Sequence, residues 1–217
     1  MPATSAGSPA SPLVLDGPMK LNIGSGRARL EGWINVDIQH LPGVDLVADV
    51  TEGLQFSNAE AVFAEHFLEH LTFDAAVSFL LEAHRVLGEG GWLRLSTPNL
   101  DWVWATHYRL EAEPRNRADA ALALNRAFHG WRHQFLWNRE ILEEALTACG
   151  FTGVRWCAYG ESELPVFRGI ERHETYADLP GLPHVLIVEA RKGEPRPELL
   201  REFRERIERE YLVHLED

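Results

Sequence analysis

Three stretches of the chain carry residue types and spacings that could do chemistry. The first is Gly24-Ser25-Gly26, followed by Asp37 and Asp49. A Gly-x-Gly turn brings backbone close to a ligand, because glycine adopts left-handed conformations and has no Cβ in the way. Two familiar versions of this turn fit poorly. The dinucleotide fingerprint needs a third glycine where the chain has Arg29, and an acidic residue about 20 positions further on. Asp37 follows Gly26 at roughly half that distance. No Gly-Lys-Ser/Thr is present to cradle nucleotide phosphates. Asp37, closing an apolar run, suits a ribose diol, and Asp49 is placed for an adenine amino group. A cofactor with ribose and adenine but no pyrophosphate meets these demands, and S-adenosylmethionine is such a cofactor.

The second and third stretches are His66-Phe67-Leu68-Glu69-His70 and His129-Gly130-Trp131-Arg132-His133, drawn from ten histidines in all. Histidine titrates near neutrality and suits proton removal from an acceptor. The His-x-x-Glu-His spacing also occurs in metallopeptidases. That motif needs a long helix, whereas here it starts a short turn after an apolar run. Parallel strands present their functional loops at their carboxyl ends. That brings forward His66, His70, His107, His129 and His133, with Glu161, Glu163, Arg168, Glu171, Arg172 and His173 from a later loop. His133 is the first expectation for a catalytic base and His129 the second, since both sit where a long segment returns to the sheet.

Those residues need a scaffold. With 217 residues, 45% of them hydrophobic, the chain suffices for one domain plus at most an appendage. Asp plus Glu number 33 against 21 Lys plus Arg, a formal charge of −12. A field of this sign opposes the phosphate contacts that nucleic acid requires, so no nucleic-acid partner is expected. Cys149 and Cys157 have neither metal-site nor redox spacing. No apolar run approaches the roughly 18 residues of a membrane span, and residues 1–18 lack the pattern of a signal peptide. A cytoplasmic protein without a membrane partner is expected, with 1–18 as a disordered leader rich in proline, serine and glycine.

Strands are expected over 20–23, 33–37, 44–50, 60–64 and 91–97. Between the last two, Ala76, Phe79, Leu80, Ala83, Val86 and Leu87 recur at helical spacing, and Gly88-Glu89-Gly90-Gly91 closes that segment. Such alternation indicates an α/β domain over 19–194, with a parallel sheet covered on both faces. Residues 99–137 are long for a connection and are expected to form a lid or acceptor insertion with a helix over 117–128. Asn138 is placed to cap a helix over 139–149 that Gly150 ends. Two final strands follow at 154–159 and 184–191. Residues 195–217 hold an amphipathic helix whose stripe is Leu199, Phe203, Ile207 and Tyr211. It either docks on the domain or makes a homodimer or partner face.

Lys20-Leu21-Asn22-Ile23-Gly24-Ser25-Gly26, followed by Gly32-Trp33-Ile34-Asn35-Val36-Asp37-Ile38, resembles the class I S-adenosylmethionine-dependent methyltransferases. Within that class it is similar to the small methyltransferases found among sugar and natural-product biosynthesis enzymes. Ala64-Glu65-His66-Phe67-Leu68-Glu69-His70, Glu82-Ala83-His84-Arg85-Val86-Leu87 and Leu93-Arg94-Leu95-Ser96-Thr97-Pro98-Asn99 follow in the same order. The likeness runs over roughly 20–99 and weakens over 138–192. It implies a Rossmann-like, seven-stranded, mostly parallel sheet with helices on both faces and an antiparallel last strand. It also carries cofactor roles onto Gly24, Ser25, Gly26, Asp37, Ile38, Asp49, Val50, Glu65 and His66. The implied activity is methyl transfer to a small-molecule or sugar-containing acceptor, oxygen ahead of nitrogen. The chain departs from the class at 27–32, too short for a full first helix, so the methionine end would gain little from a helix dipole.

Some members of the class are similar in a further respect, holding a divalent ion through a Glu-x-x-Glu-His turn and a later histidine. Here His66 stands at the first acidic position, and Glu69, His70 and His129 or His133 would complete a site for a softer ion. The other reading has Glu69 and His70 orienting the turn by hydrogen bonds. Trp102, Trp104, Trp131 and Trp137, with Tyr108, suit a flat acceptor or the core of the insertion. Arg109, Arg115, Arg117 and Arg132 could grip an anionic one. A non-catalytic partner subunit that binds S-adenosylmethionine is the rival from another class.

Overall fold

The computed structural model describes residues 18–107, 114–173 and 177–215. The leader over 1–17, Tyr108, Arg109 and the Arg115 side chain lie outside the described residues. Strands β1 (Lys20–Ile23), β2 (Ile34–Asp37), β3 (Leu46–Val47), β4 (Ala59–Glu65), β5 (Leu87–Pro98), β6 (Phe151–Trp156) and β7 (Val185–Lys192) form one sheet in the order β3-β2-β1-β4-β5-β7-β6. Strands β1 to β5 pair with one another in parallel, and β7 runs antiparallel between β5 and β6. The expected fold class is therefore the observed one. Strand order reverses at β1, which makes the carboxyl edge of β1 and β4 the crevice where an open α/β sheet binds its ligand.

Apolar spacing explains the covering helices. In α1 (Phe73–Val86) the buried Phe73, Ala76, Val77, Phe79, Leu80, Ala83 and Val86 lie on one face, and Thr72 caps the start by accepting from Ala75 N. Helix α4 (Arg139–Ala148) starts where Asn138 accepts from Ile141 N, and it stops before Gly150, whose φ is +94°. Helix α5 (Pro197–Glu210) buries Phe203 and Ile207 on its own domain, with Phe203 against Phe73 at 5.6 Å between ring centroids. Tyr211 meets Phe135 in the same way, whereas Leu199 stays exposed.

Several boundaries differ from the sequence expectations. Strand β5 begins at Leu87, so the glycines expected to close α1 belong to the strand. A Cβ on Gly91 would lie 2.9 Å from the Ala59 carbonyl oxygen, where the β4–β5 register shifts in a bulge. Strand β3, at one edge of the sheet, is only two residues long and pairs with β2 through Leu46 and Val47. Strand β6 starts three residues earlier than expected. The 99–137 insertion holds two helices, α2 (Leu100–His107) and α3 (Pro114–His129). No helix among the described residues is long and apolar enough to cross a membrane.

Candidate functional site

At the end of β1 the chain turns through Gly24 (φ +62°) and Gly26 (φ +53°). A Cβ on Gly24 would run into the Phe67 ring, so this position admits only glycine on two grounds. Gly26 faces open space, leaving its backbone accessible to a ligand. Asp37 grips this turn. One carboxylate oxygen accepts from Gly26 N at 2.8 Å and the other from Gln39 N at 2.8 Å. Each oxygen keeps a further lone pair for a diol. The next residue, Ile38, is exposed beside it. Asp49 accepts from both the N–H and the hydroxyl of Thr51, and these bonds outweigh slight burial and hold its carboxyl below the usual range. The Val50 side chain packs into the core.

No helix follows the glycine turn. Residues 27–32 are instead tied down by two buried asparagines. Asn22 Nδ2 donates to the Ala28 carbonyl and to Asn35 Oδ1, and Asn35 Oδ1 also accepts from Leu30 N. Asn35 Nδ2 reaches Asp45 at 2.8 Å. Sequence reading had assigned neither asparagine a role, although a polar side chain inside an otherwise apolar strand must find partners.

Two cavities are lined by consecutive residues at the carboxyl end of β4. Glu65 lines a small pocket of about 70 Å³ beside the glycine turn, with Asn22, Gly24, Ser25 and Arg172. His66, the next residue, lines a cavity of about 670 Å³. Glu65 Oε1 accepts from Arg172 N (2.8 Å), His173 N (3.1 Å) and His173 Nδ1 (2.8 Å). Burial alone would raise its pKa, but these bonds and the nearby His173 charge hold it below the ordinary value. His66 occupies a left-handed conformation (φ +48°), a costly one for a non-glycine residue. Its Nδ1 meets Glu69 Oε1 at 2.9 Å. Burial pushes the imidazole down, and the Glu69 bond with the charges of Glu69 and Glu65 more than reverses this, so its pKa is raised. Glu69 is fully buried, and its second oxygen accepts from Thr97 Oγ1 at 3.0 Å.

The insertion supplies Trp102, Val103, Arg126, Trp131 and His133 to the large cavity, which Pro98 of β5 and, from the chain before β7, Ala177 and His184 also line. Arg132 at φ +62° turns the chain after α3 and brings His133 inward. His133 Nδ1 lies 2.7 Å from the Ala127 carbonyl oxygen. A carbonyl can only accept, so Nδ1 carries the proton and Nε2 of the neutral ring is left as an acceptor. His129 is exposed in the last turn of α3 and does not line the cavity. Of the four tryptophans, Trp102 and Trp131 line the cavity, Trp104 is exposed and Trp137 is fully buried, stacked on Phe73.

One metal-competent cluster appears among the described residues. Ligand atoms of Glu69, His70 and His133 all lie within 4.8 Å of one another. The His70 and His133 rings are 5.2 Å apart. His66 is outside this group and His129 does not contribute. One carboxylate and two imidazoles form a donor set suited to a first-row transition ion or zinc.

The loop between β6 and β7 is fastened by a buried ion cluster that the sequence reading missed. Arg94 pairs with Glu171 and with Glu189 Oε1, and all three are buried. Arg94 Nη2 also donates to the Glu161 carbonyl at 3.0 Å. The signal was visible: Leu93-Arg94-Leu95 and Val188-Glu189-Ala190 place charges inside buried strands, where each needs a partner.

The sequence matches no protein-family model and no curated protein. The structure is similar to a S-adenosylmethionine-dependent methyltransferase of Thermotoga maritima, described as a possible histamine N-methyltransferase. The two share a TM-score of 0.51 and 15% identity over 82% of this chain and 84% of the other. It is equally similar to a S-adenosylmethionine-dependent methyltransferase of Archaeoglobus fulgidus, with a TM-score of 0.51 and 16% identity over 81% and 86% of the two chains. At such identity the likeness establishes a common fold.

Proposed function

We propose that the protein transfers the methyl group of S-adenosylmethionine to a small-molecule or sugar-containing acceptor, with oxygen ahead of nitrogen as the accepting atom. One observation carries this reading. Consecutive residues at the carboxyl end of β4 line the glycine-turn pocket and the insertion cavity, Glu65 the first and His66 the second. A donor over the glycine turn and an acceptor in the cavity would then be neighbours at this strand end, where the methyl can be handed over by direct contact. The order of acceptor atoms rests on the sequence resemblance.

The residues at hand fit the cofactor. Gly26 leaves open space above the turn, Asp37 has free lone pairs, and the buried Ser25 hydroxyl has no hydrogen-bond partner among the described residues. When bound, S-adenosylmethionine supplies a methyl group on a positively charged sulfur. The protein's part is to hold, orient and exclude water. Asp37 and Asp49 take the ribose and adenine ends. The insertion places the acceptor, and alignment of the two reactants supplies most of the rate. His133 Nε2 removes the acceptor's proton, with the Ala127 carbonyl fixing the ring.

Transfer of isotope-labelled methyl from S-adenosylmethionine into a component of a cell extract tests the activity. A labelled product is expected with the full chain and is lost in His133→Ala. Cofactor binding without any labelled product would favour the non-catalytic partner subunit instead.

The Glu69, His70 and His133 cluster favours a second reading, in which a divalent ion held there polarises the acceptor. Equilibrium dialysis against zinc, manganese and magnesium salts tests it. One ion per chain, lost in His70→Ala, supports the metal-assisted form. No binding leaves His133 as the base.

A further inference from the structure

A thioether or sulfonium cofactor of this kind ends in an α-amino acid, which carries a carboxylate and an ammonium group. The glycine turn is poorly equipped for the carboxylate. Ser25 N–H is consumed by the Val36 carbonyl at 3.1 Å and Gly26 N–H by Asp37 at 2.8 Å. No helix begins at 27–32, so no helix N-terminus points at the turn. The nearest carboxylates, Asp37 and Glu65, would repel a further negative charge. Among the described residues that line the pocket beside the turn, Arg172 is the one cation.

We infer that Arg172, carried in by the β6–β7 loop, is the carboxylate anchor of the cofactor's amino-acid end, with the Ser25 hydroxyl as its second donor and Glu65 facing the ammonium. The inference rests on the cofactor reading above. The pocket beside the turn, about 70 Å³, has room for such a head group and is lined by Ser25, Glu65 and Arg172 together. Ser25 is 4% exposed, and its hydroxyl has no partner among the described residues. A buried orphan of this kind calls for a ligand atom. The Arg172 guanidinium has five N–H donors, and its bond to the Arg29 carbonyl, at 2.5 Å, uses Nη2.

Its placement is fixed from both sides. Arg172 N donates to Glu65 Oε1. Its neighbour Glu171 is locked by the buried Arg94 and accepts from Gly160 N at 3.2 Å. Arg172 is thus a positioned charge on a fastened loop, and an acid–base pair of side chains faces the pocket to match the zwitterion. The Arg94 cluster acquires a purpose in the same way: it holds the loop that completes the cofactor site.

Calorimetry on the full chain with two ligands tests this. S-adenosylhomocysteine has the amino-acid end, and 5′-methylthioadenosine has the same nucleoside and a thioether without it. Arg172→Ala should weaken S-adenosylhomocysteine on the order of 10- to 100-fold and leave 5′-methylthioadenosine unchanged. Arg172→Lys should restore part of the loss, because the charge returns without the forked geometry. Ser25→Ala should shift the same ratio by a smaller factor. Equal weakening of both ligands, or no change in either, would overturn the inference while leaving the cofactor reading intact. Wild-type protein that binds neither ligand would overturn both.

Discussion

Replacing Asp37 with alanine removes more than a ligand contact. The carboxylate holds Gly26 N–H and Gln39 N–H at 2.8 Å each, and it is only 9% exposed. Hydrogen bonds to a charged acceptor contribute about 1.5–3 kcal/mol apiece. Partial solvent access and loop relaxation reduce the sum, so Asp37→Ala should destabilise the fold by about 2–4 kcal/mol. For a domain of this size that corresponds to roughly 5–15 °C in Tm. Asp37→Asn should recover little, because its amide NH₂ would face one of the two backbone donors. Binding of S-adenosylhomocysteine should fall at least about tenfold in both variants, since the lost bonds position the turn as well as the ribose. Scanning calorimetry with and without the ligand reads both effects. A Tm within about 1 °C of wild type would refute the claim that Asp37 organises the turn.

Three further outcomes are expected. Phe203→Ala should cost about 3 kcal/mol, as for other buried phenylalanines, with molar mass by light scattering unchanged. An unaltered Tm would mean that α5 is not docked through this ring. The Glu65 carboxyl is held below its ordinary pKa, so its bonds to the β6–β7 loop contribute stability that is complete above about pH 4.5 and is lost as pH falls through the depressed value. Glu65→Gln should flatten that part of the Tm–pH profile, and an unchanged profile would show that the loop is held elsewhere. His129→Ala should leave turnover within about twofold of wild type, because the side chain lies outside the cavity. A large loss would exchange the roles assigned to His129 and His133.

What the sequence made legible was mostly local. The alternation Lys20-Leu21-Asn22-Ile23 before Gly24-Ser25-Gly26 marked β1, the spacing from Ala76 to Val86 marked α1, and Asn138 marked the start of α4. These depend on neighbours within a few residues. Edges were harder. Of the stretch 44–50, only Leu46 and Val47 pair in the sheet, where Asp45 and Asp49 interrupt the apolar residues. Helix α2 went unread because its burial is confined to Val103 and its apolar residues follow no strong stripe. The site resisted most where partners are distant in the chain. Glu65 with His173, Arg94 with Glu171 and Glu189, and His70 with His133 are joined by the sheet and the insertion, and no periodicity encodes such meetings. Whether His129 or His133 faced inward was settled by the backbone turn at Arg132.

A crystal structure of the full chain with S-adenosylhomocysteine tests the central claim most directly. The adenosine should lie over Gly26 with its ribose hydroxyls on Asp37, and the amino-acid end should enter the pocket of Ser25 and Arg172. The sulfur should then lie at the carboxyl end of β4 by Glu65 and His66, open towards the cavity of Trp102, Trp131 and His133. A ligand bound away from the glycine turn, or a sulfur directed away from that cavity, would contradict the account.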